Sequence, residues 1–243
     1  MRPRAQAVIL AGGKGVRLRP FTASLPKPLV PLGDKPILEI VLRQLAACGF
    51  QRATLTLGHL SGLIRAFVTQ QKSLCAQMEI DFIDEETPTG TAGSLANVPG
   101  LDDPFLVMNG DVLTDLDYMS LLNAHIAGDA ALTIATHQQE VKIDLGVLDT
   151  DATGLVVDYR EKPKHSYEVS MGVYVYEPRV LKLIKPGEYL DFPDLVMRLI
   201  RRGEKVQTYR NNAFWLDIGR PEDYARAQDL VASHPEQFGM EMV

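Results

Sequence analysis

Short apolar runs alternate with amphipathic stretches along roughly the first 140 residues of the chain. The apolar runs predict strands at residues 7–10, 53–57, 80–83, 105–108 and 131–135. Apolar positions at helical spacing predict helices at residues 37–48, 61–70 and 118–126. Gly49 and Gly128 stop the first and third helices, and Asp115 or Asp117 is the expected N-cap of the third. Strands that alternate with helices predict a parallel sheet covered on both faces.

The pattern changes after about residue 140. Strands predicted at residues 146–148, 155–159 and 173–176 lie closer together, and helices are predicted at residues 192–202 and 221–231. This half is therefore expected to contain antiparallel pairs. No repeat, low-complexity run or linker divides the sequence. We predict one domain over residues 1–243, with two lobes at about 1–140 and about 141–243.

Composition and charge exclude several classes of protein. Of the 243 residues, 46% are hydrophobic, which is enough for a sizeable core. The net charge of −6 argues against a general binder of nucleic acids or anionic membranes. No stretch approaches the ~20 apolar residues of a membrane span. Cys48 and Cys75 are too few for a four-cysteine zinc site, and thiols left free favour a reducing, cytoplasmic location.

A glycine-rich loop, AGGKGVRLRP, follows the first predicted strand. Counted from Gly13, Leu18 stands where both the P-loop and the dinucleotide fingerprint GxGxxG require glycine, which disfavours a dinucleotide-dependent oxidoreductase. Residues 11–33 contain no acidic residue and four cations, which are Lys14, Arg17, Arg19 and Lys27. Glycine N–H groups and arginine side chains bind phosphate oxygens. We therefore predict a phosphate-binding loop; the alternative is an ordinary solvated loop.

Two aspartates are candidates for holding a divalent cation. Asp111 follows the strand predicted at 105–108, at the strand end where an open α/β sheet binds ligands. Asp217 lies between Leu216 and Ile218, which indicates a constrained position. Mg²⁺ usually takes only one or two protein carboxylates beside substrate phosphates. The alternative for each aspartate is a turn or helix-cap residue.

The segments LAGGKGVRLRPFT and PKPLVPLGDKPILE resemble the GGxGxRLxPxT and PKPxxP signature of the sugar-1-phosphate nucleotidylyltransferases. Further matches run to about Ala227. The resemblance implies an α/β fold with a Rossmann-like, mostly parallel mixed sheet flanked by helices. This is the nucleotide-diphospho-sugar transferase, GT-A-like fold, and the resemblance implies a nucleotide-binding lobe at about 1–140 and a smaller sugar-binding lobe at about 141–243. The reaction it implies converts an NTP and a sugar-1-phosphate to an NDP-sugar and pyrophosphate, with Mg²⁺ as cofactor.

The resemblance also implies roles for individual residues. Arg17 is expected to bind the triphosphate, and Lys27 the phosphates around the reacting centre. Asp111 and Asp217 are expected to hold Mg²⁺, and Lys162 to aim the attacking sugar phosphate. The implied substrate-binding residues are Leu10, Ala11, Gly12, Gly13 and Gly15 in the loop, Gly90 and Thr91 near the base, Asn109 and Gly110 beside Asp111, and Gly146, Glu161, Ser170 and Gly172 toward the sugar. Leu145 departs from the family pattern, which has tyrosine before the sugar-side glycine.

Two short stretches bear on the substrates. The GTAG at residues 90–93 resembles guanylyl-transferring members, and residues 214–224 resemble the heptose-1-phosphate guanylyltransferases. We expect GTP with mannose-1-phosphate or a heptose-1-phosphate. The open alternatives are glucose-1-phosphate with dTTP, UTP or CTP, and a non-catalytic nucleotide-sugar-sensing subunit on the same fold.

The expected reaction needs no general base. A sugar phosphate is largely a dianion near neutral pH, because its second pKa lies near ~6, and it is already a nucleophile. The expected partners are the NTP and the sugar-1-phosphate, with no nucleic acid and no membrane. A homodimer is the default assembly for a soluble enzyme.

Overall fold

The structure is a computed structural model that describes residues 4–240, so the ends of the predicted 1–243 domain lie outside it. The strands are β1 Gln6–Ala11, β2 Pro31–Leu32, β3 Lys35–Pro36, β4 Arg52–Leu57, β5 Glu79–Asp84, β6 Phe105–Asn109, β7 Val112–Thr114, β8 Leu132–Lys142, β9 Gly146–Thr150, β10 Val156–Glu161, β11 Lys164–Tyr176, β12 Val206–Arg210 and β13 Trp215–Asp217. The helices are α1 Ile37–Ala47, α2 Ser61–Gln70, α3 Lys72–Gln77, α4 Gly90–Gly93, α5 Tyr118–Ile126, α6 Phe192–Arg201 and α7 Pro221–Ser233. Among the described residues, no helix is both long and apolar enough to cross a membrane.

Within residues 4–240, seven strands form a central sheet in the order β12-β8-β11-β6-β1-β4-β5. The strands β5, β4, β1 and β6 are parallel, β12 is parallel to β8, and β11 is antiparallel to both of its neighbours. The predicted mostly parallel mixed sheet is therefore confirmed. The chain continues from β1 to β4 on one side and later to β6 on the other, so the strand order reverses at β1. An open α/β sheet binds ligands at the carboxyl ends of the strands at such a point.

The sheet is covered on both faces. Ile9 of β1 packs in a core that includes Leu38 and Leu42 of α1. Val8 packs in a second core, with Leu195 and Leu199 of α6. Because successive side chains of a strand point to opposite faces, β1 must be apolar at nearly every position. This explains why its sequence is a continuous apolar run.

Every predicted strand and helix overlaps an observed one, and α2 and α5 have the predicted bounds. The strand predicted at 131–135 is longer in the structure, because β8 continues through the exposed and mostly polar residues QQEVK to Lys142. In the described chain, residues 137–142 of β8 pair only with the first part of β11, and the β9–β10 hairpin lies between them in sequence. We call residues 137–169 the arm.

The sequence pattern does not predict α3, α4, β7, β12 or β13. The strands β7 and β13 have three residues each, and α3 and α4 have six and four. Elements this short carry no periodic signal. The strand β12 is at the edge of the sheet with partly exposed side chains, so it lacks an apolar run.

The N-terminus of α5 is capped by Asp117. Its Oδ1 accepts hydrogen bonds from the N–H groups of Met119 and Ser120, both at 3.0 Å. Its Oδ2 accepts from the Ser120 hydroxyl at 2.5 Å. The hydroxyl and the N–H of Ser120 lower the pKa of Asp117. Asp115, the other candidate, instead accepts from the Phe214 N–H at 2.7 Å.

Replacement of the cap by Asp117→Ala should destabilise the fold by about 1 kcal/mol, because two N–H groups lose their acceptor. The difference should shrink in acid. A carboxyl whose pKa is lowered by folding contributes stability above its unfolded pKa of about 3.9, and loses it as pH falls through the folded pKa. Urea unfolding at pH 7 and pH 3 measures both effects, with the exposed Asp102→Ala as the matched control. An equal loss at both pH values would contradict capping by an ionised carboxylate.

Candidate active site

The glycine-rich loop leaves the carboxyl end of β1 and contains close backbone approaches. A Cβ at Gly58 would lie 2.8 Å from the carbonyl oxygen of Gly12. Gly15 adopts a φ of +59°, and a Cβ there would lie 3.0 Å from the Cβ of Lys27. Among the described residues, chain neighbours aside, no heavy atom lies within 4 Å of the place that a Cβ of Gly13 would occupy. The backbone at Gly13 is therefore open to a ligand.

Lys27 and Asp111 form an ion pair beside this loop. Lys27 begins the turn Lys27–Leu29 and is only 8% exposed, and its ammonium group contacts Oδ2 of Asp111. Asp111 follows β6, and Gly110 before it donates its N–H to the Leu10 carbonyl at 3.0 Å. That bond couples the ends of β6 and β1. The structure thus brings together a lysine and an aspartate that were predicted from separate motifs.

Asp217 lies next to Asp111 because two short strands pair. The strand β13 is antiparallel to β7, and the Ile218 N–H donates to the Asp111 carbonyl at 3.1 Å. Burial raises the pKa of Asp217, and the negative charge of Asp111 raises it further. The cations Lys27 and Arg17 partly offset this rise. The two carboxylates therefore repel each other across the site.

Arg17 reaches the carboxylates from the glycine-rich loop. A Cβ at Gly219 would lie 3.3 Å from a guanidinium nitrogen of Arg17 and 3.2 Å from Oδ2 of Asp217. Glycine at position 219 leaves room for both groups. Arg17, Lys27, Asp111 and Asp217 thus meet at the carboxyl ends of β1 and β6, as the sequence predicts.

The two carboxylates fit a Mg²⁺ ion. Oδ1 of Asp111 is buried and has no hydrogen-bond partner among residues 4–240. A hard cation would satisfy that oxygen. In the same range, no group of three or more His, Cys, Asp or Glu residues could hold a metal. Mg²⁺ binds through one or two carboxylates where substrate phosphates supply further oxygens, so a site of two aspartates matches that mode.

A cavity of 640 Å³ opens beside Asp217, and we call it the sugar-side cavity. Part of its wall is a bulge in β11, where the pairing with β8 shifts between Ser170 and Tyr174. In the bulge, Gly172 adopts a φ of +73°, and a Cβ there would lie 2.8 Å from Nδ2 of Asn109. The predicted Asn109, Ser170 and Gly172 therefore line one cavity. The rest of the wall is mostly apolar and includes Ile134, Tyr174, Phe192, Val196, Met197 and Trp215.

A second cavity, of 360 Å³, shares Asn109 and Thr91 with the first, and we call it the base-side cavity. The predicted residues in its wall are Leu10, Gly12, Gly13, Gly90, Thr91, Asn109 and Asp111. Gly90 adopts a φ of +82°, and a Cβ there would lie 2.5 Å from the Leu190 carbonyl oxygen. The helix α4 therefore packs closely against the segment that leads into α6.

The sequence analysis missed Glu85, Tyr189 and Asp191, which also line the base-side cavity. Glu85 stands five residues before the GTAG stretch, and this closeness to the motif could have identified it as a site residue. Asp191 accepts a hydrogen bond from the Thr91 N–H at 3.1 Å, and the Thr91 hydroxyl accepts from the Phe192 N–H at 2.8 Å. These partners are about a hundred residues apart in sequence, and no local pattern connects them.

Three predicted substrate-binding residues of the loop and strand ends lie in neither cavity wall. Ala11 is buried at the end of β1, and Gly15 and Gly110 make the backbone contacts described above. They position the neighbouring residues of the site. Direct contact of these three residues with a substrate stays a prediction.

Gly146, Glu161 and Lys162 lie on the arm and are absent from both cavity walls. The Tyr159 hydroxyl donates to Oε2 of Glu161 at 2.7 Å, which raises the pKa of Tyr159. The same hydroxyl packs over Gly146, where a Cβ would lie 2.2 Å from it. Lys162 has a φ of +45°, a strained value for a residue other than glycine. The sugar contacts expected of these three residues stay predictions.

Replacement of Asp111 and of Asp217 by asparagine should change the melting temperature of the metal-free protein in opposite directions. Asp217→Asn should raise the melting temperature, by roughly 2–4 °C per kcal/mol of repulsion relieved, because a raised carboxyl pKa means that ionisation costs stability at neutral pH. Asp111→Asn should lower it, because the buried Lys27 loses its partner. Thermal unfolding at pH 7.5 in a chelator measures both, and the exposed Asp102→Asn is the control. A lower melting temperature for Asp217→Asn would show that its charge is not under repulsion.

Comparisons with known proteins find a matching family. The nucleotidyl transferase family matches residues 6–234 of the chain. The chain is 33% identical over 240 residues to a UTP–glucose-1-phosphate uridylyltransferase of Synechocystis, covering 91% of this chain and 62% of that protein. It is also 33% identical over 235 residues to a mannose-1-phosphate guanylyltransferase of Mycobacterium tuberculosis, covering 94% and 65%. The chain thus spans less than two thirds of the length of these curated relatives.

Solved structures share the fold. HddC from Yersinia pseudotuberculosis, complexed with GMP-PN, is 28% identical and superposes with a TM-score of 0.71, covering 93% of this chain and 98% of that one. A putative glucose-1-phosphate thymidylyltransferase from Bacillus anthracis gives a TM-score of 0.73 at 22% identity, which shows the fold alone. The expected nucleotide-diphospho-sugar transferase fold is confirmed. With nearly its whole length matched, the chain belongs to the nucleotidyl transferase family.

Proposed function

We propose that this chain transfers a nucleotidyl group from an NTP to a sugar-1-phosphate and releases pyrophosphate. The observation that carries the proposal is the convergence of Asp111, Lys27, Arg17 and Asp217 between two cavities at the carboxyl ends of β1 and β6. Two cations and two metal-binding carboxylates are what phosphate transfer needs, since its catalysis is mostly positioning and charge stabilisation. The similarity to a uridylyltransferase and a guanylyltransferase supports the same class of reaction.

The two cavities divide the substrates. The base and ribose of the NTP occupy the base-side cavity, and the sugar occupies the sugar-side cavity. Both cavities are lined by Asn109, so the two phosphate groups meet beside Asp111. Holding the reacting phosphates at this place converts a bimolecular encounter into a step within one complex.

The chemical step is one in-line displacement. An oxygen of the sugar phosphate forms a bond to the α-phosphorus of the NTP, the bond from that phosphorus to the bridging oxygen breaks, and its electron pair leaves with pyrophosphate. No proton has to move, because the attacking phosphate is a dianion. Arg17 binds the triphosphate and the leaving group, Lys27 neutralises the phosphates at the reacting centre, and Lys162 on the arm aims the attacking phosphate.

Asp111 and Asp217 are the residues that would hold Mg²⁺, and the ion supplies charge neutralisation on the phosphates when it is bound. The orphan oxygen of Asp111 and the mutual repulsion of the carboxylates support this assignment. Lys27, which contacts Asp111, lies where it can also reach a phosphate held at the same carboxylate. The chain itself therefore orients the phosphates through one buried lysine and two aspartates.

For the substrates we propose GTP with mannose-1-phosphate or a heptose-1-phosphate. The GTAG stretch forms α4 beside the base-side cavity. The guanylyltransferase among the relatives and the GMP-PN complex of HddC support guanine. The uridylyltransferase of Synechocystis, at equal identity, keeps UTP with glucose-1-phosphate as the competing pair.

A non-catalytic nucleotide-sugar-sensing subunit is the second candidate function. The site disfavours it, because a sensor has no need for two repelling carboxylates and a buried lysine at the reacting centre. The two lobes at about 1–140 and 141–243, the homodimer and the cytoplasmic location stay predictions. The strand β8 crosses residue 140, so the two lobes share a strand of the central sheet.

A substrate panel tests the reaction and its specificity together. Purified protein with Mg²⁺ should release pyrophosphate from GTP with mannose-1-phosphate or a heptose-1-phosphate, and release it at least tenfold more slowly from UTP, CTP, dTTP and ATP. A coupled pyrophosphate assay measures the rates. Release with UTP and glucose-1-phosphate alone would keep the reaction and refute guanine. Tight NDP-sugar binding without release from any pair would establish the sensing subunit instead.

Replacement of Arg17 tests whether the glycine-rich loop binds the phosphates of the NTP. Arg17→Ala should lower turnover by ~10²–10³, because one preorganised charge-stabilising group is lost, while the exposed side chain leaves folding unchanged. Arg19→Ala is the matched control, since Arg19 is an exposed cation of the same loop but, unlike Arg17, is not one of the cations that lower the pKa of Asp217. Steady-state kinetics of both variants measure the effect. Equal losses in the two variants would mean that the loop acts only through its overall charge.

A further inference from the structure

A third cavity, of 790 Å³, adjoins the candidate active site, and we call it the arginine cavity. It shares Trp215 and Asp217 with the sugar-side cavity, so these two residues form the wall between the two spaces. Arg17 from the glycine-rich loop lines it, together with Arg220 and Arg226 from the start of α7. The reaction described above gives no role to Arg220 or Arg226.

The guanidinium groups of these three arginines are not paired with carboxylates in the described part of the chain. Within residues 4–240, none of them has a carboxylate oxygen within the 4.0 Å limit of a salt bridge. Arg220 is the N-cap residue of α7 and Arg226 lies in the second turn of that helix, and both line the same cavity. Arg17 reaches the same space because Gly219 has no side chain. Guanidinium groups that form no salt bridge can bind phosphate oxygens, often in bidentate fashion.

Three acidic residues also line the cavity, and in the described chain none of them forms a salt bridge with these arginines. Asp223 accepts a hydrogen bond from the Arg220 N–H at 3.1 Å, and Glu140 pairs with Lys164 at 3.3 Å. Asp217 belongs to the carboxylate pair of the reacting centre. The remaining side chains that offer hydrogen bonds there are His137 and two glutamines of the arm. The cavity is thus a polar space lined by three arginines that form no salt bridge within residues 4–240.

We propose that the arginine cavity binds the pyrophosphate unit, as the β- and γ-phosphates of the NTP and then as the leaving group, with Arg220 and Arg226 as ligands beside Arg17. An in-line displacement places the attacking and leaving oxygens on opposite sides of the phosphorus. The attacking group comes from the sugar-side cavity, and the arginine cavity lies across Asp217 from it. The site rests on the proposed function, and it adds two binding residues to it.

The test compares Arg220→Gln, Arg226→Gln and the double variant with Arg202→Gln. Arg202 is an exposed arginine that follows α6 and lies outside the arginine cavity, so it controls for net charge. The dissociation constant for inorganic pyrophosphate in the presence of Mg²⁺ should rise about tenfold for each single variant and further for the double one, since hydrogen bonds to charged groups are strong. Isothermal titration calorimetry measures it.

Kinetics add a readout that a structural role would not move. The KM for pyrophosphate in the reverse reaction should rise in parallel with the dissociation constant, while the KM for the sugar-1-phosphate stays within twofold. Unchanged pyrophosphate binding in the double variant would overturn the assignment, and so would an equal rise in the KM for the sugar-1-phosphate.

The outcomes also separate this inference from the proposed function. An active wild-type enzyme with unaffected arginine variants refutes the pyrophosphate site alone. A wild-type protein that releases no pyrophosphate from any substrate pair, yet binds it in a manner dependent on Arg220 and Arg226, refutes the reaction and supports the site.

Discussion

The repulsion between Asp111 and Asp217 is the constraint around which the site is arranged. Two carboxylates stay together only if the backbone forces them to, and here the pairing of β7 with β13 and the Ile218 N–H bond to the Asp111 carbonyl do so. Lys27 relieves part of the charge, and burial makes the remainder more costly. A fold optimised for stability alone would replace one of these acids. Their presence is what the proposed metal-dependent transfer would require.

Close packing at two glycines also shapes the site. The bulge of β11 contacts Asn109 through Gly172, and α4 contacts the segment before α6 through Gly90. At both positions a Cβ would overlap its neighbour in a conformation that side chains rarely adopt. Close packing at these two glycines therefore fixes part of each cavity wall. A preorganised site of this kind suits a reaction that depends on aligning two phosphates.

The sequence predicts the sheet and most of the site because both leave local signals. Buried strands such as β1 are continuous apolar runs, and the glycine-rich loop carries its cations within one short segment. Contacts between distant segments leave no such signal. The Thr91–Asp191 bond joins residues a hundred positions apart, and Arg220 and Arg226 look like ordinary helix-surface charges until the fold places them beside Arg17. The placement of Glu161 and Lys162 on the arm likewise depends on how far β8 and β11 extend, which polar, exposed residues do not reveal.

The arrangement of charge implies an order of binding. The cations Arg17, Arg220 and Arg226 are exposed at the surface, whereas Asp111 is largely buried behind them and already contacts Lys27. A free divalent cation must pass arginines that repel it, and at low ionic strength that repulsion acts over about 10 Å or more. A triphosphate meets the opposite field, since the exposed cations attract it even though the whole chain carries a charge of −6. Once the phosphates neutralise the arginines, this repulsion is removed, and the negative charges of Asp111 and Asp217 favour a cation. We therefore expect the metal to enter with the nucleotide, because the nucleotide turns a site that repels cations into one that binds them.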